Sequence, residues 1–248
     1  AAWDLYAKVK GKTLRDILYK NPKSSISLYA SGLTINNFHK FYPKIKKFKL
    51  NNIKIKVGFK EEEDIEFLRL ISKLNFKSVM IDANQAWKYN EAIKRILNLE
   101  KITKLYWVEE PIIASSSVNK WKSLRKNIST NIAAGENHYG SADVKKYIKS
   151  KCFDFYQPDI TKYGGISNFI EIYKDCKKDI KFLTPHYLGS GLGLFASANL
   201  ISGISNIPME FDITENEIRD EIFKKNLKIH QGKLILNKKP GIGINLNF

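Results

Sequence analysis

Asp82, Glu109 and Glu136 stand 27 residues apart (109−82 = 136−109), and each closes a short apolar run: SVMIDAN, LYWVEEP and NIAAGEN. An acid recurring at that interval after a β-type segment marks repeated βα units. A parallel strand, its loops and a crossover helix take roughly 30 residues in an eight-unit barrel of about 250. A chain of 248 residues has room for one such barrel, and acids at the strand C-termini converge on its mouth. The expected fold class is α/β, a TIM-like (β/α)7β barrel with parallel strands and outer helices.

The rest of the chain follows the same alternation. SISLYAS, NIKIKVG, SVMIDAN, LYWVEEP, NIAAGEN, DFYQPDI, KFLTPH and PMEFD read as eight strands. EEEDIEFLRLISKL, NEAIKRILNL, SADVKKYIKS and GGISNFIEIYKDCKK carry apolar residues at helical spacing, and the first opens on acids suited to a helix N-terminus. The stretch ahead of NIKIKVG also reads as helical, with Pro43 interrupting it. After PMEFD the pattern degrades into ENEIRDEIFKKN and a tail bearing Gly and Pro, KKPGIGINLNF.

With 43% hydrophobic residues the chain can bury one full core and needs no second domain. No run is long and apolar enough to span a bilayer, and AAWDLYAKVKGKTL lacks the layout of a signal peptide. Cys152 and Cys176 are too few and wrongly spaced for a disulfide framework or a thiolate metal site, which suits buried, inert thiols and a cytoplasmic location. The chain opens without Met and in mid-pattern, with Trp3, Leu5, Tyr6 and Val9, as if a helix continued from upstream. The net charge of +17, from 42 Lys and Arg against 25 Asp and Glu, is mostly scattered Lys: a solvated surface that attracts small anions. A nucleic-acid face would concentrate its charge and interleave aromatics. The nearest approach runs from His39 to Lys56 and reads equally as an amphipathic helix entering a strand, so nucleic acid is not an expected partner.

Each strand can be read at its C-terminal end. Lys54 and Lys56 alternate onto one side of NIKIKVG. Asp82, Glu109 and Glu136 are hard oxygen donors of the kind Mg²⁺ selects, and three carboxylates leave coordination positions open for water and substrate. Helix capping accounts for one such acid easily and for three regular ones poorly. Glu110 competes with Glu109, because strand alternation lets only one of them face the centre. Asn84 and Asn137 are placed to orient ligands. Asp159 and His186, again 27 apart (186−159), can pair as an acid/base dyad. Glu210 completes the ring, while Lys162 and the Gly164–Gly165 pair suit the following turn better than chemistry.

The set KIK, DAN, VEEP, GEN, PDxxKxGG, PH and ME, in this order over essentially the whole chain, resembles the mandelate racemase group of the enolase superfamily (the mandelate racemase/muconate lactonizing enzyme family). The resemblance implies Mg²⁺ held by Asp82, Glu109 and Glu136. It makes Lys56 the base on one face of the substrate, with Lys54 supporting the enolate oxygen and depressing the Lys56 pKa by repulsion. His186, paired with Asp159, would act on the opposite face, and Glu210 would bind the substrate carboxylate or the enolate oxygen. The muconate cycloisomerase group looks similar but has Lys where this chain has Asp159, which favours the racemase-like group over cycloisomerases and dipeptide epimerases.

A proton α to a carboxylate is too weakly acidic for a side-chain base near neutral pH unless the enediolate is stabilised electrostatically. The reaction that the resemblance implies is Mg²⁺-dependent abstraction of that proton. Dehydration of a sugar acid to a 2-keto-3-deoxy acid is the first expectation; the alternatives are a racemase or epimerase of a 2-hydroxy acid, or a truncated barrel inactive alone. Family members carry an N-terminal α+β capping domain over the mouth, and the likeness here begins just after it. The expected division is a connecting remnant over 1–25, barrel over 26–212 and a C-terminal extension over 213–248, with the lid absent. The apolar rim so exposed would favour a homo-oligomer. Substrate hydroxyls would meet that lid and loop residues such as His138, Tyr139 and Tyr187.

Overall fold

Period-two alternation sorts each strand's residues between two apolar layers. A computed structural model describes residues 1–176 and 182–244, and at positions 141, 175 and 176 the backbone alone. Six consecutive strands pair in parallel: β1 (Ser25–Leu33), β2 (Asn52–Lys56), β3 (Ser78–Asp82), β4 (Val108–Glu109), β5 (Ile132–Ala134) and β6 (Phe155–Tyr156). Leu183 continues the series through a single parallel bridge to Tyr156. Strand β7 (Met209–Asp212) then pairs in parallel with β1, and Thr184 Oγ1 donates to the Pro208 carbonyl at 2.8 Å across the remaining gap. The chain is thus a TIM-like barrel with parallel strands and outer helices. The expected seventh strand began at Lys181, which lies outside the described residues, as do the last two lysines of the helix expected before it.

Ile53, Ile55, Val79, Ile81, Val108 and Ile132 point outward into the large core shared with the helices. Tyr29, Met80, Trp107, Ala133 and Phe155 point inward and fill the barrel's centre. Above that plug the inward positions turn polar, with Lys56 in register with Asp82 and Asp82 with Glu109. The sequence therefore places its chemistry at one end by replacing apolar with charged residues at the inward positions that close β2, β3, β4 and β7.

The helices are α1 (Ala2–Val9), α2 (Leu14–Leu18), α3 (Phe38–Phe48), α4 (Glu61–Ser72), α5 (Tyr89–Glu100), α6 (Val118–Asn127), α7 (Ser141–Ser150), α8 (Gly165–Cys176), α9 (Gly191–Ile201) and α10 (Glu217–Asn226). Pro43 sits inside α3 without ending it, and Phe38, Phe41 and Ile45 bury that helix's apolar face. The segment from His39 to Lys56 is accordingly α3 running into β2. Beyond β7 the chain does not simply degrade. After α10, β8 (Ile229–His230) and β9 (Lys233–Ile235) form an antiparallel hairpin, and β9 pairs with Ser25–Ser27 at the start of β1, at the end of the barrel away from the charged residues. Cys152 is buried and free; the Cys176 side chain lies outside the described atoms. No helix among the described residues is long and apolar enough to cross a membrane. Phe59, Ile113, Tyr139 and Leu188, on loops that follow β2, β4, β5 and Leu183, are 55–67% exposed around the charged mouth.

Candidate active site

Lys54 stands at the centre of the mouth. Its Nζ is 2.5 Å from Glu109 Oε1, 2.9 Å from Glu210 Oε1 and 3.7 Å from Asp82 Oδ2. Burial alone would lower its pKa, but Glu109 and Glu210 outweigh that and hold the ammonium well above the usual lysine value. Lys56, one turn of alternation nearer solvent, lies 2.7 Å from Asp82 Oδ2 with a third of its side chain exposed. Lys54 does bear down on the Lys56 pKa, as expected. Asp82 more than compensates for burial and for Lys54, so the Lys56 pKa is raised rather than depressed.

On the far side of the acids His186 is held at both ring nitrogens, Nδ1 at 2.9 Å from Asp159 Oδ2 and Nε2 at 2.6 Å from Glu136 Oε2. Carboxylates only accept, so this geometry belongs to the doubly protonated ring. Burial pulls its pKa down, but the bonds to Asp159 and Glu136 lift it to about 10. Glu136 shifts the other way: burial raises it, and the His186 hydrogen bond and charge bring it to about 2. The other oxygen of Asp159 accepts from the Thr161 backbone and hydroxyl at 2.8 and 2.6 Å, which fixes the carboxylate that orients His186.

Glu136 reaches the centre because Gly135 precedes it. At φ +144° a side chain there would come within 2.8 Å of the Gln157 backbone, so only glycine lets β5 lie this close to the segment after β6. Asn84 and Asn137 both donate to Glu136 Oε1, at 3.3 and 3.2 Å, and the Asn84 backbone donates to Asp82 Oδ1 at 2.9 Å. Both asparagines therefore hydrogen-bond to acids of the mouth. Glu110 departs from the alternation argument. Its φ of +38° breaks the strand, so both consecutive acids stay inside: Glu110 is fully buried, and its Oε2 accepts from Asn137 at 2.8 Å while Oε1 has no partner among the described residues. Burial and then Glu136 raise its pKa to about 8.

Glu210 gives Oε1 to Lys54 and the Ser31 hydroxyl and Oε2 to the Tyr187 backbone. Tyr187 joins the site only through that N–H, since its hydroxyl donates to the Gly189 and Ser190 carbonyls. His138 leaves the mouth altogether, stacking on Tyr147 at 4.0 Å with its ring nitrogens on Tyr156 Oη and the Ala114 carbonyl, both at 3.3 Å. Lys162 is exposed, and its charge helps lower the Glu136 pKa.

Two residues the sequence reading missed hold Glu109. Trp107 Nε1 donates to its Oε2 at 3.2 Å and Gln157 Nε2 to the same oxygen at 2.7 Å. Both were findable by alternation, for Trp107 lies two positions before Glu109 and Gln157 two before Asp159.

The donor set suits a hard dication. Asp82, Glu109, Glu110, Glu136, Asp159 and Glu210 crowd around Lys54, Lys56 and His186, an excess of acids over cations. Burial, resisted by Lys54 and reinforced by Asp82, Glu210 and Glu136, lifts the Glu109 pKa to about 7. Among the described residues no three such groups stand ready as a ligand shell: Asp82, Glu109 and Glu136 are turned toward Lys56, Lys54 and His186. The residues fit such an ion in kind, and to hold one their oxygens would exchange those partners for it.

Residues 44–248 match the family described as enolase C-terminal domain-like. The chain is 28% identical over 258 residues to the arabinonate dehydratase of Saccharolobus solfataricus, covering 99% of this chain and 68% of that one. A solved mandelate racemase/muconate lactonizing enzyme from Bordetella bronchiseptica RB50 superposes with a TM-score of 0.89 at 28% identity, over 99% of this chain and 69% of that one. The 3,6-anhydro-D-galactonate cycloisomerase of Zobellia galactanivorans superposes at 0.88 and 30%, over 99% and 70%. At 24% identity and a TM-score of 0.83, over 99% and 68%, the L-talarate dehydratase of Polaromonas sp. JS666, solved with Mg and L-glucarate, shares the fold. The chain spans about two thirds of the length of these proteins, and it belongs to the enolase C-terminal domain-like family, alongside relatives of the mandelate racemase/muconate lactonizing type.

Proposed function

We propose that this barrel abstracts the proton α to the carboxylate of a sugar acid and expels the β-hydroxyl, giving a 2-keto-3-deoxy acid. The observation that carries the reading is His186, held between Asp159 and Glu136 in the same mouth as Lys54 and Lys56. Mg²⁺ held by Asp82, Glu109 and Glu136 would supply the positive charge that lowers the energy of the enediolate. Lys54 adds a fixed charge to the same end of the substrate, buried where its effect is least screened. Lys56 would be the base: it is the member of the lysine pair with access to solvent, and once Asp82 turns from it to the ion, the repulsion of Lys54 would help it shed its proton to bulk water and take the one from C2. His186 is the general acid. A proton already sits on each ring nitrogen, and Nε2 can pass one to the departing hydroxyl, which leaves as water while the C2–C3 bond becomes double and the enol tautomerises to the keto acid.

Racemisation is the second reading, favoured by one observation: Lys56 on β2 and the His186 segment after Leu183 flank the acids from two sides of the barrel. It requires His186 to begin without the proton that Asp159 helps it hold, which is why dehydration is preferred. The apolar rim of Phe59, Ile113, Tyr139 and Leu188 is the surface on which a lid segment would close and exclude water.

The test is α-proton exchange and keto-acid formation across sugar acids and 2-hydroxy acids, in D₂O with Mg²⁺, for the parent chain and His186→Asn. Dehydration that vanishes in the variant while slow exchange persists supports the reading. Exchange with inversion and no keto acid transfers it to racemisation, and no exchange with any acid in a folded chain that binds Mg²⁺ ends it for this chain alone.

A further inference from the structure

Glu109 is gripped unlike its two neighbours. Asp82 and Glu136 are oriented by loop asparagines, whereas Glu109 is met from below by groups rooted in the barrel's plug. Trp107 is fully buried, with Tyr29 edge-on at 5.4 Å and Phe155 at 5.0 Å. Its ring cannot turn, so the indole N–H is aimed permanently at Glu109 Oε2. Gln157 arrives from the segment after β6, two strands away. It can do so because the intervening strand offers only the methyl of Ala133 at that height, Ala133 being in register with Glu109 on one side and Phe155 on the other. The Gln157 amide must present Nε2, since two acceptors would repel, and its own Oε1 is buried with no partner among the described residues. A buried amide with half its capacity unmet costs stability that an apolar side chain of the same shape would not. Its one satisfied contact is the one to Glu109.

We propose that Trp107 and Gln157 are positioning residues for the divalent cation: together they pin Glu109 Oε2 and leave Oε1 as the oxygen offered to the ion. The inference rests on the reading that Asp82, Glu109 and Glu136 hold Mg²⁺. Removing either donor frees the carboxylate to rotate, and outer partners of this kind change metal affinity by about 10- to 100-fold.

The experiment is a titration of the full chain with Mg²⁺ alone, read as the rise in melting temperature and fitted for Kd, on parent, Asp82→Ala, Gln157→Met and Trp107→Phe. Gln157→Met keeps the volume without the donor. Trp107→Phe keeps an aromatic ring against Tyr29 and Phe155 and loses the N–H together with part of the indole's volume, so its binding is read against its own melting temperature without Mg²⁺, and it stands if the other variant fails to fold. The expected result is saturable binding by the parent, none by Asp82→Ala, and binding about tenfold weaker or worse in the two donor variants; without Mg²⁺ the melting temperature of Gln157→Met stays near or above the parent's, and that of Trp107→Phe falls with the volume lost from the plug. Parent-like Kd values in both donor variants, with Asp82→Ala still dead, overturn the inference and leave the metal reading intact. Parent binding that is absent or indifferent to Asp82→Ala overturns both.

Discussion

His138 and His186 are buried to nearly the same degree, at 5% and 8% exposure, and each follows the end of a barrel strand. Burial lowers the pKa of both rings, yet the outcomes are opposite. His138 faces Tyr147, Tyr156 and the Ala114 carbonyl, none of them charged, and its pKa is lowered. A carbonyl can only accept, so Nε2 carries the proton and Nδ1 accepts from Tyr156: a neutral ring used as a flat, two-ended packing piece. His186 faces two carboxylates and keeps an extra proton to about pH 10. Depth of burial therefore does not separate a structural from a chemical imidazole. The charge of the groups at its two nitrogens does.

The largest test of that contrast is kinetic. His186→Asn keeps a donor of similar size but cannot deliver a proton, so keto-acid formation by an active form of the chain should fall by about 10²- to 10⁴-fold. Its circular dichroism and Mg²⁺ affinity should match the parent. A fall below tenfold would remove His186 from the chemistry. Asp159→Asn should act in the same direction and less strongly, about 10- to 100-fold, because the imidazole stays in place while Nδ1 loses its ionic partner; steady-state rates over a pH series would show the loss greatest where His186 of the variant is no longer protonated.

His138 should fail in the other currency. His138→Leu removes a stacked ring and leaves Tyr156 Oη and the Ala114 carbonyl buried without partners. The expected cost is about 2–4 kcal/mol of unfolding free energy, or a fall of about 5–10 °C in melting temperature for a chain of this size. Mg²⁺ affinity measured below the transition should be unchanged. A variant as stable as the parent would show that the stack contributes nothing, and weakened Mg²⁺ binding would return His138 to the mouth.

The same distinction explains what could be read from the sequence. The 27-residue interval was legible because each βα unit spends a similar length returning to the sheet, and an acid stands at the end of β3 and β4 and just beyond β5. Helix α9 left no such trace: GLGLFASANLI is buried on nearly every side, so no polar stripe sets its period. Helix α6 was hidden for the opposite reason, with Trp121 and Leu124 its only fully buried residues in a run otherwise rich in Lys and Arg. The closing hairpin could have been found from Gln231–Gly232, whose consecutive positive φ values of 48° and 71° make the tight turn between β8 and β9. At the site, Glu110 was misjudged because alternation assumes a continuing strand, and its left-handed backbone ends the strand there. His138 was misjudged because a polar residue beside GEN looks like a ligand until Tyr147 and Tyr156, contributed by α7 and β6, enclose it.

The smallest expected effect is the most direct comparison, since the two rings should tilt stability against pH in opposite senses. Both titrate near 6.5 when unfolded. Folded His186 holds its proton to about 10, so between those values the native state binds more protons than the unfolded one. Its contribution is full below pH 6.5 and drains away as pH rises through that window. Folded His138 resists protonation, so its contribution is present above about pH 6.5 and is lost as pH falls below it. Each group can tilt the curve by at most about 1.4 kcal/mol per pH unit. Urea unfolding of parent, His186→Asn and His138→Leu from pH 5 to 10, with chelator present to keep divalent ions out, resolves the two slopes. The gap between parent and His186→Asn should narrow toward alkaline pH, and the gap between parent and His138→Leu should narrow toward acid. Parallel curves for all three chains would mean that neither ring's proton is coupled to folding, and that the contrast between their surroundings is one of shape alone.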